Sequence, residues 1–142
     1  MWADTLQAAE RAHLLRMLVW AAASILAGTG VLAFLRTRDH GSDLLAQFAK
    51  ASVGWGIGVA LYAALQLQSI APRDVGSATR LDRMLWLSVG LDIGAVAVGI
   101  ALVVVGWRVG RRMKLVGAGM GVIVQGCALA LLNLILAGQI SR

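Results

Sequence analysis

Four long apolar segments dominate the pattern of hydrophobic and polar positions along the chain. They cover Met17–Leu35, Ala51–Ala71, Met84–Trp107 and Leu115–Ser141. Each has about 19 residues or more, and a helix of that length, rising about 1.5 Å per residue, crosses a hydrocarbon layer about 30 Å thick. The only carboxylate inside any of them belongs to Asp92. The pattern therefore predicts an all-α integral membrane protein with four transmembrane helices.

The connectors between these segments are short, which predicts how the helices are arranged. We expect helices at about 14–35, 44–71, 84–107 and 115–139, within a single transmembrane domain that covers residues 1–142. Short connectors favour antiparallel packing of consecutive helices. The sequence thus predicts an up-down-up-down bundle.

Composition narrows the class of function. Of the 142 residues, 59% are hydrophobic and 14% are charged, whereas a soluble domain carries about a quarter charged residues. The four spans use nearly the whole length, so little chain is left for a soluble module. The sequence shows no catalytic triad, metalloprotease motif, phosphate-binding loop or pair of carboxylates. We therefore expect a non-catalytic protein without a metal or cofactor. Bound lipid is the one small-molecule ligand that the composition allows us to expect.

The net charge of +6 comes from Lys and Arg residues at the ends of the spans. Cations at these positions anchor membrane helices against anionic headgroups, so the charge predicts contact with lipid and not with nucleic acid. Six of them fall on the side of the termini and the second connector, and seven on the opposite side. The positive-inside rule then favours external termini. Since the margin is one residue, dual insertion stays an alternative.

Asp92 is the single position that most invites a functional interpretation. A helix that starts at Met84 places Asp92 about 12 Å below the end of its span. An intramembrane carboxylate is costly, and it is either held by hydrogen bonds or used in transport. Polar residues of the other helices are expected at a similar depth. They predict one hydrogen-bonding layer of Ser24, Tyr62, Asp92 and Asn133, with Gln66 and Gln125 as secondary polar residues.

The histidines and the single cysteine are the other residues that could bind a ligand. His13 and His40 are expected on opposite sides of the membrane, so they cannot clamp one haem within the bundle. His13 alone is expected to be an interfacial residue, with ligation of a pigment or metal as the less favoured alternative. Cys127 has no partner for an intrachain disulfide and is expected to fill space between helices.

Glycines recur at four-residue spacing in three of the spans. Two residues four apart lie on the same face of a helix, and small side chains there let a neighbouring helix approach closely. The pairs predict either packing inside the bundle or docking of other membrane helices. They are Gly54 and Gly58, Gly90 and Gly94, and Gly117 and Gly121, with a further pair, Gly106 and Gly110, at the end of the third span.

Three short motifs, taken together, resemble those of a known group of proteins. They are Trp55-Gly56, Gly90-Leu91-Asp92 and Gln125-Gly126. With these motifs the chain resembles uncharacterised bacterial four-helix membrane proteins that are classed as a domain of unknown function. The resemblance supports the four-span architecture and the choice of Asp92 as a functional candidate, but it implies no activity. We expect the protein to be located in a bacterial inner membrane.

The function that these observations favour is that of a small accessory or structural subunit. It would pack against other transmembrane subunits or associate with itself. One alternative is a minimal proton- or ion-linked transporter or channel that uses Asp92. Another is a protein that binds lipid or pigment.

Overall fold

The chain forms four α-helices in the computed structural model, which describes residues 2–37, 41–71 and 74–140. The helices are α1 (Trp2–Arg36), α2 (Asp43–Gln68), α3 (Val75–Arg108) and α4 (Met113–Ile140). The all-α prediction is confirmed. Each helix is long and apolar enough to cross a membrane.

Two of the helices are longer than the apolar pattern predicts. α1 begins at Trp2 and not near residue 14, and α3 begins at Val75 and not near residue 84. The added turns carry charged residues such as Glu10 and Asp82, which a criterion of apolarity rejects but which a helix accommodates. With 35 residues, α1 is about 52 Å long, well beyond the thickness of a hydrocarbon layer. α2 ends three residues early at Gln68, and α4 agrees with the prediction within two residues.

Side-chain caps and one tight turn fix the helix ends. The Ser42 hydroxyl accepts a hydrogen bond from the Leu45 amide, and the Asp74 carboxylate accepts one from the Ser77 amide at 2.8 Å. Each cap satisfies an amide that has no partner within its helix. Between α3 and α4 the chain turns through Gly110, whose φ of 72° favours glycine.

α4 is the central helix of the bundle. It packs against α1, α2 and α3, and α1 also packs against α2. In the described part of the chain, α2 and α3 make no packing contact. The prediction that consecutive helices are neighbours is therefore wrong for this pair. Connector length limits how far apart two helix ends are, but it does not decide which faces along the helices meet.

Glycines allow the close helix contacts, and their partners give the helix directions. A Cβ on Gly28 would lie 2.8 Å from the Ala49 carbonyl oxygen, and one on Gly56 would lie 3.0 Å from the Ala21 oxygen, so α1 and α2 are antiparallel. Between α3 and α4, a Cβ on Gly119 would lie 2.6 Å from the Gly99 oxygen. Backbones this close leave no room for a larger residue.

α2 and α4 approach each other closely at one end only. Gly117 lies against the Leu44 carbonyl, and a Cβ on Gly121 would lie 2.7 Å from the Ala51 Cβ. Towards the other end, the buried apolar core lies among α1, α2 and α4. Its buried members are Leu14, Met17, Ala21, Val59, Ala63 and Leu129.

Candidate functional site

A cavity of about 670 Å³ lies between α2 and α3, and we call it the α2–α3 cleft. α1 and α4 form its floor, and α2 and α3 form its two walls. Because α1 packs on α2 and on α4, and α4 packs on α3, the unpacked side of the cavity lies between α2 and α3. Most of the lining is apolar, and it includes Leu14, Met17, Trp55, Val59, Leu81, Met84, Leu85, Leu91, Leu129 and Leu136.

A hydrogen-bonded pair lies where the floor of the cleft meets its α3 wall. The side-chain amide of Asn133 on α4 donates to Oδ2 of Asp92 on α3 at 2.8 Å. Asp92 is 8% exposed, and both residues line the cleft. Within the described residues, Asp92 Oδ1 has no hydrogen bond. The structure thus brings together two members of the predicted layer and leaves one carboxylate oxygen available.

Two polar residues of α1 complete the floor. Glu10 and His13 both line the cleft and are buried, with His13 only 4% exposed. The His13 ring lies beside the Leu132 carbonyl and the Asn133 side chain, while its Nδ1 atom has no hydrogen-bond partner among the described residues. His13 was expected at the membrane interface, and Glu10 was not among the predicted site residues. Their spacing with Leu14 and Met17 would have shown that all four share one face of a helix.

Tyr62 and Gln66 lie on the α2 wall and are not joined to Asp92. The Gln66 side-chain amide donates to the Tyr62 hydroxyl at 3.3 Å, and Tyr62 is 51% exposed. The predicted layer of four residues therefore does not form. α2 is held away from α3 across the cleft, so its polar residues bond along their own helix.

A second polar cluster joins α1 to α4 outside the cleft lining. The Trp20 ring nitrogen donates to Gln125 Oε1 at 2.8 Å, and Gln125 Nε2 donates to the Ser24 hydroxyl at 3.0 Å. Gln125 is 2% exposed, and both of its side-chain polar atoms are bonded. Ser24 thus lies level with Gln125, and His13 lies level with Asn133. Ser24 was expected level with Asp92 because α1 was expected to begin near the start of its apolar span.

The predicted glycine pairs divide into three environments. Gly117 and Gly121 pack against α2 inside the bundle. Gly54 and Gly58 line the cleft, and a Cβ on either would meet no atom within 4 Å. Gly90 and Gly94 are exposed on α3, also with open space around them. Of the glycines that pack α3 against α4, Gly106 belongs to a predicted pair, whereas Gly99 and Gly119 do not. Cys127, expected to fill space between helices, is exposed.

The charges in the cleft are unlike those of the whole chain. Within the described residues, its lining contains the carboxylates of Glu10 and Asp92 but no Lys or Arg. No group of three His, Cys, Asp or Glu residues in residues 2–37, 41–71 and 74–140 is placed to hold a metal ion. The arrangement offers hydrogen-bond acceptors beneath an apolar cavity, which suits binding of a polar head attached to an apolar body.

These features define a small all-α protein with four helices that are each suited to cross a membrane and with a side-opening cleft. The chain belongs to the family of unknown function DUF6992, whose model matches residues 16–134. Asp92, Gln125 and Asn133 lie inside the matched region, whereas Glu10 and His13 precede it. No curated protein and no solved structure shows a significant match to the chain.

Proposed function

We propose that the chain is a non-catalytic integral membrane protein that binds an amphipathic, lipid-like molecule in the α2–α3 cleft. The observation that carries the proposal is the gap between α2 and α3, two consecutive helices that do not pack together. In a bilayer, a cavity that opens between two membrane-spanning helices faces lipid. Its apolar walls and polar floor match a molecule with a tail and a head.

Placement in a membrane rests on the exposed surface as well as on helix length. Large apolar side chains are exposed on every helix, for example Val19, Leu65, Leu91 and Leu131. Water does not favour such a continuous apolar surface, whereas hydrocarbon does. With four spans in up-down-up-down order, both termini lie on one side. The surplus of Lys and Arg in the first and third connectors favours external termini in a bacterial inner membrane.

Lipid retention tests the proposal directly. The protein is purified in a mild detergent, and co-purified lipid per protein is measured by mass spectrometry. Gly58→Leu would place a bulky side chain in the cleft, and no atom of the described residues lies within 4 Å of its Cβ position. Gly30→Leu is the matched control, since Gly30 has the same open surroundings but does not line the cleft. We expect the first variant to lose bound lipid and the control to retain it; equal retention would overturn the proposal.

A second candidate function is association with other membrane helices through α3. Gly90 and Gly94 share an exposed face, and in the described part of the chain no atom lies within 4 Å of either Cβ position. Glycine in a helix costs about 1 kcal/mol relative to alanine unless a close contact repays it. A partner helix on this face would supply that contact. Gly90→Leu should then abolish a cross-linked dimer or a co-purified partner, and a clean monomer before substitution would exclude the role.

Transport through Asp92 is a third candidate, because this buried carboxylate borders the cleft. Proton or cation flux would be measured in liposomes that contain the protein. Transport requires that Asp92→Asn abolish the flux. If the flux is unchanged, Asp92 has no role in transport.

A further inference from the structure

We infer that the α2–α3 cleft selects amphiphiles with an alkylammonium head, and that Asp92 is the counter-ion of this head. The inference rests on the proposed function, since it names the class of molecule that the same cleft would take. It depends on the bonding of Asp92, on the charges of the groups that line the cleft and on two aromatic rings of the α2 wall.

The bonding of Asp92 leaves one oxygen available in a buried position. Asn133 donates to Oδ2, and Oδ1 has no hydrogen bond among the described residues. An ionised carboxylate accepts several hydrogen bonds, and one neutral donor does not compensate its burial. A ligand that brings both positive charge and N–H donors would neutralise the Asp92 carboxylate and donate a hydrogen bond to Oδ1.

The surroundings of Asp92 favour a cation over an anion. Glu10 is the other carboxylate of the lining, His13 lies on the same floor, and the described lining holds no Lys or Arg. This local balance is opposite in sign to the net charge of +6. General attraction to the protein surface would therefore favour anions, so a preference for cations would have to arise in the cleft itself.

The α2 wall adds two aromatic rings opposite Asp92. Trp55 and Tyr62 both line the cleft from α2, while Asp92 lies on α3. Cations are attracted to the faces of aromatic rings, and an ammonium group between a carboxylate and such rings benefits from both. The apolar side chains of Leu81, Met84 and Leu91 on the α3 wall offer contacts to an alkyl tail.

Three probes with the same twelve-carbon tail distinguish the possible heads. Dodecylamine is protonated at neutral pH and offers charge and donors, dodecanol offers one donor without charge, and dodecanoate is repelled by Asp92. Binding is measured as displacement of radiolabelled dodecylamine from the protein in phosphatidylcholine nanodiscs, after subtraction of empty nanodiscs. We expect dodecanol to need at least tenfold higher concentration than dodecylamine, and dodecanoate to be weaker still.

Matched carboxylate variants assign this preference to Asp92. Asp92→Asn should lower the affinity for dodecylamine at least tenfold and leave dodecanol binding unchanged. Asp82→Asn is the control, because Asp82 lies on the same helix but does not line the cleft; it should bind like the unchanged protein. If Asp92→Asn does not fold, Asp92→Glu keeps the charge and should keep the preference for dodecylamine over dodecanol.

The outcomes separate the two proposals. If all three probes bind equally, or if Asp92→Asn or Asp92→Glu contradicts the expected result, the head-group inference is overturned. Cleft binding itself survives that result if Gly58→Leu still reduces the binding of all three probes. If Gly58→Leu binds every probe and retains lipid as well as the unchanged protein does, the binding site lies elsewhere and both proposals fail.

Discussion

Asn133 donates its side-chain amide to Asp92 across the contact between α4 and α3, at 2.8 Å. The two residues lie 41 positions apart in sequence, so the bond reports how the two helices are aligned. It also orients the carboxylate at the floor of the α2–α3 cleft. The position of Asp92, and with it the counter-ion role that we propose for it, therefore depends on this contact.

A double-mutant cycle with Asp92→Ala and Asn133→Ala should reveal this bond as a coupling energy. Interhelical hydrogen bonds in membrane proteins contribute about 0.6 kcal/mol on average and up to about 1.7 kcal/mol. We expect a coupling within that range, measured by unfolding in mixed micelles with sodium dodecyl sulfate. Strictly additive effects of the two substitutions would contradict the bond.

Gln125→Leu should destabilise the bundle although it replaces a polar residue by an apolar one of similar size. The substitution removes the acceptor for the Trp20 ring nitrogen and the donor to Ser24. We expect a loss of about 1–2 kcal/mol in the free energy of unfolding, because two buried bonds are lost. Gln139→Leu is the control, since Gln139 is exposed on the same helix. Equal stability of both variants would show that the hydrogen bonds of Gln125 with Trp20 and Ser24 do not stabilise the packing of α1 on α4.

Gly119→Ala should separate α3 from α4. Its Cβ would lie 2.6 Å from the backbone oxygen of Gly99. A backbone atom cannot relieve this overlap by rotating away, as the end of a flexible side chain can. Overpacking of this kind costs about 1–3 kcal/mol. Gly94→Ala, where the space is open, should leave the thermal unfolding temperature unchanged or raise it. The tight α3–α4 contact is refuted if Gly119→Ala unfolds at the same temperature as the unchanged protein.

The start of α3 should loosen in acid. Hydrogen bonds from the Ser77 hydroxyl and amide lower the pKa of Asp74 below its ordinary value of 3.8. With a lowered folded pKa, the unfolded state binds more protons, so stabilisation is complete above pH 3.8 and is lost as the pH falls through the folded value. Hydrogen-exchange protection of the Ser77 amide should decrease in that window. In Asp74→Ala, protection should be low at every pH; a variant as protected as the unchanged protein at pH 6 would contradict the cap.

The four helices could be predicted from apolarity, but the full lengths of α1 and α3 could not. The residues that extend them, such as Glu10, Arg11 and Asp82, are compatible with a helix but not with a hydrocarbon layer. Apolarity therefore marks the region that fits a membrane and underestimates the helix itself. The predicted start of α1 therefore put Ser24 at the level of Asn133. In the structure it is His13 that lies beside Asn133, and Ser24 lies level with Gln125.

The cleft could not be predicted because it depends on two helices that fail to meet. Asp92 and Asn133 stand out in sequence as polar residues in apolar spans. Counting residues from the ends of α3 and α4 places them at a similar depth in the membrane, which predicts their contact. The separation of α2 from α3 follows instead from glycine contacts elsewhere, such as Gly99 with Gly119 and Gly121 with Ala51. Many glycines at regular spacing do not reveal which of them face a neighbour.

The central place of α4 has a consequence for biosynthesis. α4 follows the other three helices in the chain, yet each of them packs against it. Among the described residues α3 packs against α4 alone, whereas α1 and α2 pack against each other. Before α4 is synthesised, these residues thus provide a hairpin of α1 and α2 but no partner helix for α3. The mature arrangement is thus assembled in one late step, and a chaperone or insertase would encounter α3 alone.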